Sequence, residues 1–182
     1  TPFLVVCLLV VGWSQSRILP NQMAPFVPTP QQVVEKMLEL ADVKPDETVY
    51  DLGCGDGRVP ITAAKKFRAK AVGVELSERL VKLSTNNVKV EGLQDRVRIV
   101  HADLMDVGLK DADVVTLYLL TDANETVKPK LDSELRKGAR VVSHDFEIRN
   151  WVASKIEEVQ VGHRTHKLYL YVMPPKKLDS SQ

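Results

Sequence analysis

The sequence predicts an α/β fold built on a doubly wound, mostly parallel sheet with an antiparallel edge. Three observations predict it. Short β-branched segments alternate five times with helix-patterned ones. The first strand segment runs straight into a glycine-rich turn and then a helix. The last two strand segments are only a few residues apart, too close for a parallel crossover, so they pair as a hairpin.

The elements follow in order. Residues 3–13, FLVVCLLVVGW, are uncharged and apolar but short of the ~20 residues of a membrane span. Residues 1–16 read as a hydrophobic leader, with Ser14-Gln15-Ser16 as a cleavage zone, or as part of a membrane anchor. A buried strand is the third reading. Residues 17–30 carry four prolines and no helical period, as a linker or an extended cover strand does. Thr29-Pro30 reads as an N-cap and first helical residue. Val33, Val34, Met37, Leu38 and Ala41 share one face of a helix over 31–42.

Strands are expected at 48–52, 70–75, 96–101, 113–120 and 139–146. Helices are expected at 58–67, at 78–91 behind Ser77 as cap, and at 124–135 despite Pro129. The hairpin strands fall at 156–161 and 167–173, joined by 162–166. The folded domain thus spans 31–174, with 175–182 as a disordered tail.

Composition narrows the function. Lys+Arg 25 against Asp+Glu 24, a net charge of +1, gives no global attraction to nucleic acid. The cluster Lys65, Lys66, Arg68 and Lys70 reads as a solvated helix end. Aromatics at 5% argue against a base-stacking binder. Two distant cysteines, Cys7 and Cys54, exclude a disulfide framework or cysteine zinc site.

Residues 49–58, VYDLGCGDGR, carry most of the functional signal. The glycine spacing is G-x-G-x-G, which differs from the dinucleotide fingerprint and lacks the Lys-Ser/Thr of a phosphate loop. Asp51 and Asp56 flank and interrupt the glycines, and two carboxylates repel a pyrophosphate but suit a cationic ligand. Glu75 ends the second strand, where an acid accepts hydrogen bonds from ribose hydroxyls. Asp103 follows the third strand, placed to meet an adenine amino group. Cys54 reads as a small filler with its backbone near the ligand. Each acid taken alone also reads as a loop or cap residue; acids at successive strand ends do not.

These segments, VYDLGCGDGR, GVE at Glu75 and HAD at Asp103, resemble the class I S-adenosylmethionine-dependent methyltransferases. PFVPTPQQVV, VVTLYLLT and RVVSHDFEIRNW resemble a narrower group, the archaeal protein lysine methyltransferase and the mitochondrial ATP synthase c-subunit lysine methyltransferase. The resemblance implies a Rossmann-like sheet of seven strands whose last two form the hairpin. It implies S-adenosylmethionine as cofactor, with Asp51, Gly53, Gly55 and Asp56 at its methionine half, Glu75 at the ribose and Asp103 at the adenine. It implies a protein substrate with an accessible lysine.

On this reading Tyr118 walls the acceptor channel or orients the amine, its alternative being a core aromatic. Thr121 and Asn124 are expected on the substrate side, Asn124 alternatively capping the next helix. His144 reads as a structural hydrogen bonder, and His163 and His166 flank a turn without forming a metal pair. No metal and no nucleic-acid partner are expected. Membrane association through residues 3–13 is expected on the anchor reading. A small-molecule methyltransferase, a non-catalytic cofactor-binding module and a dinucleotide oxidoreductase remain the rival functions.

Overall fold

The computed structural model describes residues 26–178. The leader or anchor reading of residues 1–16, and most of the 17–30 linker, lie outside the described residues. A seven-stranded sheet runs β3 (Val97–His101), β2 (Lys70–Glu75), β1 (Thr48–Leu52), β4 (Val114–Leu117), β5 (Arg140–His144), β8 (Arg164–Val172), β7 (Lys155–Val161). The first five are parallel; β8 is antiparallel to β5, and β7 to β8. A separate two-stranded pair joins β6 (Trp151–Val152) to β9 (Lys176–Lys177). That pairing places ordered backbone inside the segment expected to be a structureless tail; residues 179–182 lie outside the described residues.

Two apolar layers sandwich the sheet. On one face α1 (Gln31–Leu40), α2 (Arg58–Phe67) and α3 (Glu78–Val90) bury Val33, Met37, Leu38, Ala63 and Val88 against Val49, Val114, Val142 and Leu168. On the other, α4 (Thr121–Glu134) buries Val127 and Leu131 against Tyr50, Leu52, Val115, Leu117 and Val141. Alternate strand residues therefore feed opposite cores. Trp151 closes the second core edge-on to Tyr171, ring centroids 5.5 Å apart. The β7 edge carries Lys155, Glu157 and Glu158, charges that discourage pairing with another chain.

Some boundaries differ from expectation. Pro30 takes the N-cap position of α1, so Thr29 lies one residue outside it. Ser77 stands at the α3 N-cap, but its hydroxyl makes no capping bond. β4 ends at Leu117 and α4 begins at Thr121, several residues earlier than the apolar run implied. Only Gly162 and His163 separate the hairpin strands, and Arg164 already pairs with Val161. Among the described residues no helix is long and apolar enough to cross a membrane.

The chain leaves β1 toward β2 and returns as β4 on the other side. Such a reversal opens a crevice at the carboxyl ends of the strands. Asp51, Glu75, Asp103 and Tyr118 all lie at or just beyond those ends.

Candidate active site

The crevice is a cleft of about 890 Å³, open to solvent. Asp51, Gly53, Cys54, Gly55, Asp56, Glu75, Asp103 and Tyr118 line it, with Phe26 to Thr29 along one rim. Every residue expected to hold the cofactor thus meets in one cavity.

The loop from Gly53 to Gly57 is pinned from below. The amides of Gly53 and Cys54 both donate to the Val74 carbonyl at 2.9 Å. Gly55 N–H donates to Glu75 Oε2 at 2.9 Å, and Ser77 N–H donates to Glu75 Oε1 at 2.8 Å. Glu75 therefore braces the loop as well as facing the cleft, and each of its oxygens keeps a further lone pair. Gly55 has a φ of +55°, and a Cβ there would lie 2.4 Å from the Phe26 ring. Only glycine meets both demands. Gly73, on β2, is needed for close approach: a Cβ would meet Cys54 Sγ at 2.7 Å. Cys54 packs into the space that Gly73 leaves. Burial, then the charges of Asp51 and Glu75, push its thiol far above the ordinary range. It is an inert filler.

Asp51 is 7% exposed and accepts a 2.7 Å hydrogen bond from Thr116 Oγ1 on the adjacent strand. Burial pushes its carboxyl up to about 7 against the pull of Thr116, with Glu75 and Asp56 adding like charge. The cleft floor is thus an anionic site short of a cation. Asp56 is held differently: Arg58 Nε reaches it at 2.9 Å and Nη2 at 2.5 Å, while Arg58 Nη1 donates to the Thr29 carbonyl at 2.7 Å. This triad ties the glycine loop to the rim segment. Asp103 Oδ1 accepts from Met105 N–H at 2.9 Å, which fixes its turn where the residue lines the cleft.

The acceptor-side expectations divide. Tyr118 lines the cleft, its ring stacked 3.8 Å from His144. Thr121 begins α4, half-buried, and does not line the cleft. Asn124 is fully buried: its Nδ2 donates to Ser143 Oγ at 3.3 Å and to the Phe146 carbonyl at 3.1 Å. Ser143 sits in register with Leu117, on the α4 face of the sheet, whereas Asp51 and Thr116 share the opposite face. Asn124 therefore ties α4 to the end of β5; it neither caps the helix nor reaches the cleft.

A cluster borders Tyr118, in which Arg164 and His166 join His144 and Asp145 at the end of β5. His144 Nε2 and His166 Nδ1 are 2.8 Å apart, and Asp145 Oδ2 lies 3.3 Å from His166 and 3.4 Å from His144. Arg164 Nη2 reaches the same oxygen at 2.6 Å and lies 3.4 Å from Tyr118 Oη. The three ligand-type atoms lie within 4.8 Å of one another, as in a metal cluster. Here the two rings hydrogen-bond each other and Arg164 pairs with the carboxylate. Burial, opposed by Asp145, brings His144 down to about 4, so it is neutral near pH 7.

The ANTKMT methyltransferase domain family matches residues 51–155. A protein-lysine N-methyltransferase of Saccharolobus islandicus is 49% identical, over 84% of this chain and 96% of that one. The chain belongs to this methyltransferase family. The adenine nucleotide translocase lysine N-methyltransferase of Mus musculus is 33% identical, over 85% of this chain and 66% of that one. An RNA methyltransferase of Salinibacter ruber, solved with S-adenosyl-L-homocysteine, is 39% identical with a TM-score of 0.78, covering 86% of this chain and 99% of that one. This methyltransferase uses S-adenosylmethionine, and the cleft suits it: buried anionic carboxylates complement a cationic ligand, and acceptors stand at successive strand ends. Sequence reasoning missed the Thr116 bond to Asp51, the roles of Arg58 and Arg164, and the buried face of His166, all defined by contacts that no local pattern encodes.

Proposed function

We propose that this methyltransferase acts on the ε-amine of lysine in protein substrates. The observation that carries this is the 49% identity to a protein-lysine N-methyltransferase across nearly all of both chains. S-adenosylmethionine supplies a methyl group activated by its sulfonium charge. Asp51 receives the ligand's ammonium, a role supported by its buried, cation-deficient carboxylate. Gly53 and Gly55 let backbone come close, Cys54 fills behind them, and Asp56 holds the loop against Arg58. Glu75 accepts the ribose hydroxyls with its remaining lone pairs, and Asp103 accepts the adenine amino group.

The acceptor must be neutral to attack. With a reference pKa of ~10.4, deprotonating a lysine near pH 7.4 costs about 4 kcal/mol. The apolar rim of Phe26, Val27 and Leu119 disfavours the ammonium and lowers that cost. The remaining task is alignment of the amine beside Tyr118. Residues 3–13 would anchor the enzyme at a membrane; their eleven uncharged apolar residues support this reading, and fractionation of the full chain tests it.

Incubation of the enzyme with radiolabelled S-adenosylmethionine and a host cell extract tests the substrate class. Label is expected in protein lysines after acid hydrolysis. Label confined to RNA or small molecules overturns the proposal.

A further inference from the structure

We propose that Asp145 and the Tyr118 hydroxyl form the docking site for the acceptor's amine, and that Arg164 occupies this site in the free enzyme and is displaced by the incoming substrate. The inference rests on the acceptor being an amine.

Asp145 is built to hold a cation. Its φ of +61° is a left-handed conformation that aspartate tolerates better than most residues. Its N–H donates to the Lys167 carbonyl at 2.7 Å, and its Oδ1 accepts from the Lys167 amide at 3.0 Å. These bonds fix the backbone and commit one oxygen. The other, Oδ2, is surrounded by Tyr118 Oη at 3.5 Å, His166 Nδ1 at 3.3 Å, His144 Nε2 at 3.4 Å and Arg164 Nη2 at 2.6 Å. Burial disfavours its charge, but the Lys167 amide and the three neighbouring bases hold its carboxyl below the usual range.

Of the groups around Oδ2, the two imidazoles are buried and Tyr118 is packed against the His144 ring. Arg164 alone among them is exposed to solvent. Its side chain is 59% exposed, at the start of β8 beside the two-residue turn. Such ion pairs are easily broken. A guanidinium and an alkylammonium carry the same charge, and both donate N–H bonds to carboxylate and phenol oxygens, one from a planar fork and the other from three rotatable donors. Tyr118 spans the two regions: its side chain lines the cofactor cleft while its hydroxyl touches the Asp145 group.

The placement also serves the reaction. The ammonium gives one proton to solvent; the nitrogen lone pair then forms the new bond to carbon while the sulfur–carbon pair stays with the departing thioether. Asp145 opposes the loss of that proton by favouring the ammonium, and the same carboxylate stabilises the positive charge as it moves from sulfur to nitrogen.

Calorimetric titration of n-butylammonium into enzyme saturated with S-adenosylhomocysteine tests the proposal. Arg164→Ala should tighten butylammonium binding at least fivefold over wild type, and Asp145→Asn, which tolerates the same backbone, should abolish it. S-adenosylhomocysteine affinity should stay within twofold in both, showing that the fold survives. Weaker binding in Arg164→Ala, binding retained in Asp145→Asn, or no binding in either wild type or Arg164→Ala overturns it. Butylammonium binding that behaves as expected while lysines of the extract stay unlabelled would sink the lysine substrate and leave the amine site standing.

Discussion

Replacing Asp51 by asparagine should make the ligand-free enzyme more stable and the liganded one less so. Below its unfolded value of 3.8 the buried carboxyl is neutral and its burial costs nothing extra. As pH rises through the folded value of about 7, the protein must either hold a proton that the unfolded chain has lost or bury a charge. Stability therefore declines between about pH 4 and pH 7. A rise of about three units corresponds to about 4 kcal/mol at full ionisation. Asparagine removes that cost and still accepts the Thr116 hydrogen bond, but its amide donor, if unpaired, returns about 2 kcal/mol. The net gain near pH 8 is about 2 kcal/mol, or roughly 4–8 °C in Tm for a chain of this size. Cofactor affinity should move the other way. Loss of one charged hydrogen bond, worth about 1.5–3 kcal/mol, weakens binding by roughly 10- to 150-fold. Thermal denaturation at pH 5 and pH 8, with titration calorimetry of S-adenosylhomocysteine, reads both. A variant that melts below wild type at pH 8 and binds ligand equally well would refute the reasoning.

Other predictions concern the loop and its surroundings. Gly55→Ala should displace Phe26 and weaken S-adenosylhomocysteine binding more than tenfold by calorimetry, because its Cβ falls 2.4 Å from the ring at a left-handed φ. Asn124→Ala should cost about 1–3 kcal/mol in urea denaturation, with ligand affinity within twofold, since the side chain lies across the sheet from the cleft. Cys54 should resist iodoacetamide at pH 8 in the folded enzyme, as followed by mass spectrometry, given its burial and elevated thiol pKa.

Much of the architecture was legible because strand and helix carry different periods. β1, α2 and β2 fall where the pattern placed them, and the three strand ends bearing Asp51, Glu75 and Asp103 converge on one cleft. What escaped depends on contacts no local pattern encodes. The apolar run through Leu120 hid the end of β4, because hydrophobicity alone does not mark where a strand becomes a turn. The polar sequence Arg164-Thr165-His166 reads as loop, yet it pairs, and pairing carries His166 back to His144. Asn124 reads as a substrate-side or capping residue, yet it bonds Ser143, whose strand parity faces away from Asp51 and Thr116.

The position of β8 has a consequence for when the enzyme becomes competent. The carboxylates of the cofactor cleft come from the first three strands, all emerging from the ribosome before residue 104. Arg164, His166 and the strand that seals the flank of β5 come later in the chain. A nascent chain halted at Gly162 would own a complete set of cleft acids yet leave β5 as a bare sheet edge, open to pairing with other chains. Synthesis of β8 therefore covers that edge and removes the hazard.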